Sequence, residues 1–192
     1  QRICGVCPVS HSHAATIAAE KAYGITISNN ARIIRNLIEG AQFLHSHILW
    51  FYTLAALDYV NPLNALKANV GSAYDLVEAA GTSCQSDLKA LQERLTKFAE
   101  NGQLSIFSGN WWKNGQSDTE FKLPAELDLI ATAHYIEALT MQSKASEVCA
   151  LLGGKMPHVM TIVPGGTSFV PTEEKLDDLW SLVHELRDWI KA

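Results

Sequence analysis

The sequence is poor in charged residues and in cysteine, and it lacks both a basic excess and an uninterrupted apolar run of membrane length. Charged side chains make up 18% of the 192 residues, whereas apolar side chains make up 47%. The net charge of −5 offers no attraction to phosphates, so a nucleic-acid partner is not expected. The surplus of apolar residues predicts a thick core or a large interface with a partner protein.

The most apolar long segment runs from residue 37 to residue 60. It contains Glu39, His45, His47 and Asp58. Ionisable residues are rare in membrane-spanning helices, so a buried helix of a globular protein is predicted here instead. On such a helix, the two histidines are expected to form core hydrogen bonds rather than to bind a metal.

Four cysteines are too few and too scattered for a disulfide scaffold. Cys84 and Cys149 are isolated in the sequence and are expected to be inert buried thiols. Only Cys4 and Cys7 lie close together, in the stretch QRICGVCPVSHSH, and His11 follows four residues after the second of them. This cluster is the first candidate for a functional site.

A C-x-x-C turn can direct two thiolates at one metal ion, and His11 would reach either that ion or the sulfur of Cys7. The N-terminus of the helix expected to follow should lower the pKa of the Cys7 thiol. Other uses of the motif remain open at this point. A structural zinc site needs a fourth ligand, a thioredoxin-like redox pair needs a βαβ context, and an iron–sulfur cluster needs more cysteines. Two buried free cysteines are the remaining alternative.

Helical patterns dominate the rest of the chain, and they predict a mainly α fold with minor β structure and long buried central helices. The predicted helices cover residues 10–23, 31–60, 68–80, 87–102, 125–152 and 171–190. Ser10 or Ser12 is expected to cap the first of them. A short strand is predicted at 159–163, and short strands or an ordered loop at 103–116.

The stretch RICGVCPVSH resembles the R-x-C-G-x-C-x-x-x-H signature of the large subunit of nickel–iron hydrogenases. Four later segments resemble that family in the same order: NARIIRNLIEGAQFLHSHILWFYTLAALDYV, GQLSIFSGNWW, LPAELDLIATAHYIEAL and LLGGKMPHVMTIVPGG. The resemblance therefore covers nearly the whole chain, and its style is that of the respiratory, uptake-type branch. It implies a nickel–iron hydrogenase, an oxidoreductase that cleaves H2 heterolytically and reversibly.

The resemblance also implies roles for particular residues of the signature. Cys4 would be a terminal thiolate on nickel, and Cys7 would bridge nickel and iron. His11 would donate a hydrogen bond to the sulfur of Cys7 and so tune its basicity. Arg2 matches the arginine of the signature and would lie close to the metals.

Outside the signature, the resemblance places Val6 and Leu54 along an apolar passage for gas. His158 would face the nearest iron–sulfur cluster of a small subunit. The implied cofactors are the nickel–iron centre, whose iron has diatomic ligands, the iron–sulfur clusters of the partner, and a magnesium ion. The implied partners are H2, the small subunit and, through that subunit, a membrane cytochrome b or a quinone-linked subunit. The implied location is the periplasmic side of the cytoplasmic membrane, reached by export with the small subunit, with the cytoplasm as the alternative.

Two departures from the family pattern stand out. Ser46 occupies a position where many respiratory members have aspartate, and the second C-x-x-C of the family has no counterpart. Residues 1–192 are therefore interpreted as a single N-terminal fragment of a large subunit, which would be inactive alone. Two other functions stay open: a related quinone-site subunit of a respiratory complex without the metals, and a zinc-stabilised helical interaction module.

Overall fold

A computed structural model describes residues 3–107 and 123–191, and these residues are mostly helical. The α-helices are α1 (Pro8–Tyr23), α2 (Asn29–Ile48), α3 (Pro62–Ala65), α4 (Val70–Ala79), α5 (Leu88–Glu100), α6 (Ala125–Gly153) and α7 (Glu173–Lys191). A π-helix covers Leu49–Ala55, and 3₁₀ turns cover Ala56–Asp58 and Ser105–Phe107. Two short strands, β1 (Ile162–Val163) and β2 (Gly166–Thr167), pair antiparallel. The prediction of a mainly α fold with minor β structure is confirmed.

Most predicted helices lie within a few residues of the observed ones, but three details differ. The first helix begins at Pro8, with Cys7 at its N-cap position and no side-chain cap, so the predicted serine caps are wrong. The strand predicted at 159–163 is limited to Ile162–Val163. Of the segment 103–116, residues 105–107 form a 3₁₀ turn, and residues 108–116 lie outside the described residues.

The long helix predicted at 31–60 is regular only as far as Ile48. Beyond it the chain forms the π-helix Leu49–Ala55, whose backbone hydrogen bonds span five residues instead of four. The sequence LWFYTLA is apolar except for Thr53, so its hydrophobic pattern contained no signal for this change. Asn61 then accepts hydrogen bonds from the backbone N–H groups of Leu63 and Asn64 and caps α3.

The chain divides into two units. The first unit consists of Gln1–Ile48 and Met141–Ile190, and the second of Leu49–Thr140 with the last two residues. In the second unit, α5 contributes Leu88, Leu91 and Leu95 to a core with Leu129 and Ala133 of α6. The 3–4-residue spacing of these leucines is what places them on one buried face of the helix.

The first unit is held together by a buried ion pair between α1 and α2, which also binds the β1–β2 turn. The Arg35 guanidinium donates to both carboxylate oxygens of Glu20, at 2.6 and 3.1 Å. It also donates to the backbone carbonyl oxygens of Val163 and Gly166, at 2.7 Å each. The backbone N–H of Gly165, whose φ of +97° favours glycine, donates to Glu20 at 2.9 Å. Every charged partner in this network is therefore hydrogen-bonded, as burial requires.

This network should make the stability of the first unit sensitive to acid. The hydrogen bonds from Arg35 hold the pKa of the Glu20 carboxyl below its ordinary value of 4.5, with help from the Gly165 N–H. A lowered folded-state pKa stabilises the fold above the unfolded-state pKa, and this contribution disappears as pH falls through the folded-state value. We expect the urea midpoint of the protein to drop between pH 6 and pH 3, and to drop less steeply in Glu20→Gln. Equal slopes in the two proteins would contradict this assignment.

Several large apolar side chains remain exposed in the described chain. Phe43, Trp50 and Phe51 are 62%, 68% and 62% exposed, and Trp180 on α7 is 69% exposed. The apolar surplus of the sequence is thus only partly buried within the described residues. None of the helices in residues 3–107 and 123–191 has the length and apolar character that crossing a membrane would need.

Candidate metal centre

Cys4, Cys7 and His11 converge on one small region at the start of α1. Their ligand atoms, two sulfurs and one ring nitrogen, all lie within 4.8 Å of one another. The helix explains part of this arrangement, because Cys7 is its N-cap residue and His11 lies one turn further, where its N–H approaches the Cys7 carbonyl oxygen at 3.4 Å. The two cysteines are half-buried and His11 is exposed, so a metal ion or a further ligand can reach the three side chains from the surface of the described chain. Among those residues, no second group of three His, Cys, Asp or Glu side chains converges in this way.

The loop between the cysteines directs two peptide N–H groups at the sulfur of Cys4. The Cys7 N–H donates to Cys4 Sγ at 3.1 Å and the Val6 N–H at 3.3 Å. Hydrogen bonds of this kind favour the ionised thiolate over the thiol. The geometry therefore prepares Cys4 in the form that binds metals.

The two thiols titrate in opposite directions. A hydrogen bond from the Cys7 thiol, followed by the two backbone N–H groups, lowers the pKa of Cys4. The same hydrogen bond raises the pKa of Cys7, with burial and the Cys4 charge as further causes. The prediction that the helix N-terminus would lower the pKa of Cys7 is thus wrong for the metal-free pair. Of the two sulfurs, that of Cys4 is therefore the one that loses its proton first as pH rises.

Helix α2 contacts this region through a row of polar side chains. Glu39 accepts a hydrogen bond from the Ser10 hydroxyl and lies 3.5 Å from His13. One turn further, the Gln42 amide donates to the Val6 carbonyl oxygen at 2.8 Å and to the Ser46 hydroxyl at 2.9 Å. Sequence reasoning missed Gln42, although it lies at helical spacing from Glu39 and Ser46 on the same helix.

The other residues singled out from the sequence do not belong to the group of Cys4, Cys7 and His11, and one of them lies outside the described residues. Val6 belongs to the cysteine loop and is 45% exposed, while Leu54 is in the π-helix of the second unit and is 51% exposed. His158 is exposed, and its φ of +63° is uncommon for a residue other than glycine. Arg2 lies outside the described residues.

Within residues 3–107 and 123–191, the remaining histidines and cysteines do not converge into a second group of potential metal ligands. His45 is buried, burial lowers its pKa, and its Nδ1 has no hydrogen-bond partner within the described part of the chain. This nitrogen therefore does not make the core hydrogen bond that was predicted. Cys84 is half-buried near Glu137 and Ser86, and burial raises its pKa. Cys149 is fully buried, as predicted, and burial raises its pKa to about 12. Cys84 is only half-buried, so the prediction of a buried thiol is wrong for this residue, and the inertness of both thiols stays a prediction.

The donor set formed by Cys4, Cys7 and His11 fits a soft or borderline transition metal. Thiolate sulfur and imidazole nitrogen suit nickel, iron and zinc, whereas magnesium and calcium prefer oxygen. Two sulfurs and one nitrogen do not fill the coordination sphere of such an ion. Further ligands must come from outside this cluster, and the geometry alone does not choose the metal.

Comparison with known proteins narrows the choice of metal. The model of the family described as nickel-dependent hydrogenase matches residues 1–192. The chain is 42% identical over 169 residues to the uptake hydrogenase large subunit of Rhodobacter capsulatus, covering 86% of this chain and 28% of the relative. It is 38% identical over 195 residues to the hydrogenase-2 large chain of Escherichia coli K12, covering 100% of this chain and 33% of the relative. The chain thus spans about a third of the length of these relatives.

Solved structures agree with the sequence comparison. The Ni-Fe-Se hydrogenase of Desulfovibrio vulgaris Hildenborough, in its as-isolated oxidised state, matches 98% of this chain with 30% of its own chain, a TM-score of 0.68 and 33% identity. The reduced, active Ni-Fe-Se hydrogenase of Desulfomicrobium baculatum matches 98% of this chain with 31% of its own, a TM-score of 0.66 and 29% identity. The match therefore extends to the described helices as well as to the signature.

Proposed function

This chain belongs to the nickel-dependent hydrogenase family, and on that premise we propose that it forms part of a catalytic large subunit that cleaves H2 reversibly into protons and electrons. The observation that supports the proposal is the convergence of Cys4, Cys7 and His11 within 4.8 Å. The chain spans about a third of its relatives' length, so residues 1–192 would be one segment of that subunit. The remaining ligands of the metals would come from the other part of it.

In this proposal, two cysteines hold the metals and one of them also accepts a proton. Cys4 would bind nickel as a terminal thiolate, and Cys7 would bridge nickel and iron. When bound, the nickel–iron centre would supply the electron-rich metals at which H2 is split heterolytically into a proton and a hydride equivalent. The Cys4 sulfur would accept the proton of heterolytic cleavage, because a coordinated thiolate retains basic lone pairs. Two backbone N–H groups of the loop already donate hydrogen bonds to that sulfur.

His11 would act on the metals through the sulfur of Cys7. Its ring nitrogen lies within 4.8 Å of that sulfur, one helical turn beyond it. A hydrogen bond from the imidazole to a bridging thiolate would withdraw electron density from the sulfur and fix its orientation. Arg2, which precedes the first cysteine by two residues, would place a positive charge near the same centre.

The supply of gas and the removal of electrons would use other residues. Val6 and Leu54 are apolar, and both are about half exposed in the described chain, so they are available to line a passage for a small nonpolar molecule. His158 would face an iron–sulfur cluster of a small-subunit partner, which its exposure permits. The exposed apolar side chains Phe43, Trp50 and Trp180 are suited to contacts with that partner or with the rest of the large subunit.

The wider assignments follow from the relatives named above. Their names describe an uptake hydrogenase large subunit and a hydrogenase-2 large chain, which supports H2 as substrate and a small subunit as partner. We propose that the small subunit contains iron–sulfur clusters and passes electrons to a membrane cytochrome b or a quinone-linked subunit. We further propose a magnesium ion in the complete subunit. The assembly would be located on the periplasmic side of the membrane, exported with the small subunit, with the cytoplasm as the alternative.

Metal analysis of the complete, properly matured enzyme tests the proposal. We expect nickel together with iron, the iron in excess because the iron–sulfur clusters of the small subunit add to it. We also expect infrared bands from diatomic ligands on the iron, in a spectral region where protein does not absorb. Zinc without nickel would instead indicate a zinc-stabilised interaction module. A complete protein with no metal would indicate a metal-free subunit of the quinone-site type. Either of these results would overturn the assignment as a hydrogenase.

A further inference from the structure

One peptide group in the cysteine loop is hydrogen-bonded at both ends. The peptide between Val6 and Cys7 donates its N–H to Cys4 Sγ at 3.1 Å. The carbonyl oxygen of the same peptide accepts a hydrogen bond from Gln42 Nε2 at 2.8 Å. The C=O and N–H of a trans peptide point in opposite directions, so a donor that fixes the carbonyl also fixes the direction of the N–H. Gln42 is therefore connected to the Cys4 sulfur through a single rigid group.

The amide of Gln42 is held in place. Its side chain is 2% exposed, and its second N–H donates to the Ser46 hydroxyl one turn further along α2 at 2.9 Å. Helix α2 is itself attached to α1 by the Arg35–Glu20 ion pair and by the hydrogen bond from Ser10 to Glu39. The position of the amide relative to the cysteine loop is thus set by two packed helices of one unit.

We propose that Gln42 is a positioning residue for the metal centre, which directs the Cys7 N–H at the Cys4 sulfur and so tunes how strongly that sulfur donates to nickel. The proposal rests on the proposed function only in taking Cys4 as a nickel ligand. Hydrogen bonds in a chain polarise one another, so the bond at the Val6 carbonyl strengthens the bond at the sulfur. Hydrogen bonds to ligand sulfurs in turn affect the potential of the metals they hold.

Ser46 holds the amide of Gln42 in its orientation. Its hydroxyl accepts the N–H of Gln42 that does not point to the loop. Gln42 Oε1 is buried and has no partner within the described part of the chain, so the amide is held by its two N–H groups alone. Rotation of the amide would withdraw its donor from the loop, and Ser46 opposes that rotation.

The experiment compares Gln42→Met with Gln92→Met in the complete enzyme and in its full-length large subunit without metal. Methionine keeps the approximate length of glutamine and removes the donor. Gln92 is a matched control, because its amide donates to the backbone carbonyls of Ala65, Leu66 and Ala68 in the other unit. A second variant, Gln42→Glu, keeps the shape of the side chain, and it can be measured if Gln42→Met fails to fold.

The first measurement is hydrogen exchange in the loop, followed by mass spectrometry of peptides that cover residues 3–9. Pro8 has no N–H, so few backbone amides other than that of Cys7 contribute to the exchange of these peptides. We expect exchange in this peptide to become about two- to tenfold faster in both Gln42 variants, the effect of one lost hydrogen bond. Peptides from α1 and α2 should keep their exchange rates, and Gln92→Met should leave the loop unchanged. Unchanged exchange in the Gln42 variants, or equally faster exchange in Gln92→Met, would overturn the proposal.

The second measurement is a redox titration of the loaded enzyme followed by its infrared bands. A Cys4 sulfur with a weaker hydrogen bond donates more electron density, so the potential should become more negative and the bands should move to lower frequency in the Gln42 variants. Bands and potential at wild-type values in a variant with normal nickel content would overturn the tuning role. A wild-type enzyme without nickel would overturn the proposed function, and the exchange data on the metal-free subunit would still decide whether Gln42 positions the loop.

Discussion

Replacing Cys4 with serine should remove almost all nickel from the complete enzyme and abolish its hydrogenase activity. A serine hydroxyl is a hard, protonated oxygen, whereas the Cys4 sulfur is a soft donor whose ionised form is favoured by two N–H groups. Loss of a partner outside the ligand set costs about 10–100-fold in metal affinity, so loss of a direct ligand should cost more. Elemental analysis after identical maturation measures the effect.

The comparison with other cysteine variants makes this test specific. Cys7→Ser should lower nickel and also weaken the infrared bands of the iron with diatomic ligands, because Cys7 is proposed to bridge the two metals. Cys4→Ser should lower nickel more than it weakens these bands. Cys84→Ser is the matched control, since Cys84 is half-buried in the second unit and is not part of the cluster. It should keep wild-type metal content. Nickel at the wild-type level in Cys4→Ser would refute the assignment of Cys4 as a ligand.

Replacing Arg35 with methionine should destabilise the full-length subunit by about 3–5 kcal/mol, the usual cost of leaving one charge of a buried pair without its partner. Arg35 is 1% exposed, and its removal leaves Glu20 with only the Gly165 N–H among the partners described here. The carbonyl oxygens of Val163 and Gly166 lose their donor at the same time. Urea unfolding followed by circular dichroism measures the change in the free energy of unfolding.

Two further variants identify the cause of that loss. Arg187→Met removes an exposed arginine whose partner is the neighbouring Asp188, and it should change the free energy of unfolding by less than about 0.5 kcal/mol. The double variant Glu20→Met with Arg35→Met should be more stable than Arg35→Met alone, because no uncompensated charge remains buried. A double variant as unstable as the sum of the two single variants would mean that the charges are not coupled.

The convergence of Cys4, Cys7 and His11 and the positions of most helices could be predicted from the sequence, because both depend on local spacing. Cys4, Cys7 and His11 lie within eight residues, so the chain itself brings them together. Leu88, Leu91 and Leu95 repeat at helical spacing, and Gly24 ends α1 in the left-handed conformation that glycine favours.

The features that escaped prediction depend on contacts between distant residues or on a pattern without contrast. The Arg35 guanidinium bonds a turn 131 residues away, and Gln42 bonds the Val6 carbonyl 36 residues away, which no local spacing reveals. The π-helix falls in a stretch that is apolar except for Thr53, so the hydrophobic period could not mark where the regular helix ended. The opposite titration of the two thiols arises from a hydrogen bond between them, which depends on the rotamers of both side chains.

The burial of Cys149 has a practical consequence for chemical footprinting of this protein. A thiol with a pKa of about 12 and no exposed surface is almost wholly protonated and shielded at neutral pH, so alkylating reagents should bypass it while the chain stays folded. Its modification would therefore report loss of the native fold. Cys149 is therefore an internal control for folding: labelling of the three other cysteines reports the native protein only in samples in which Cys149 stays unmodified.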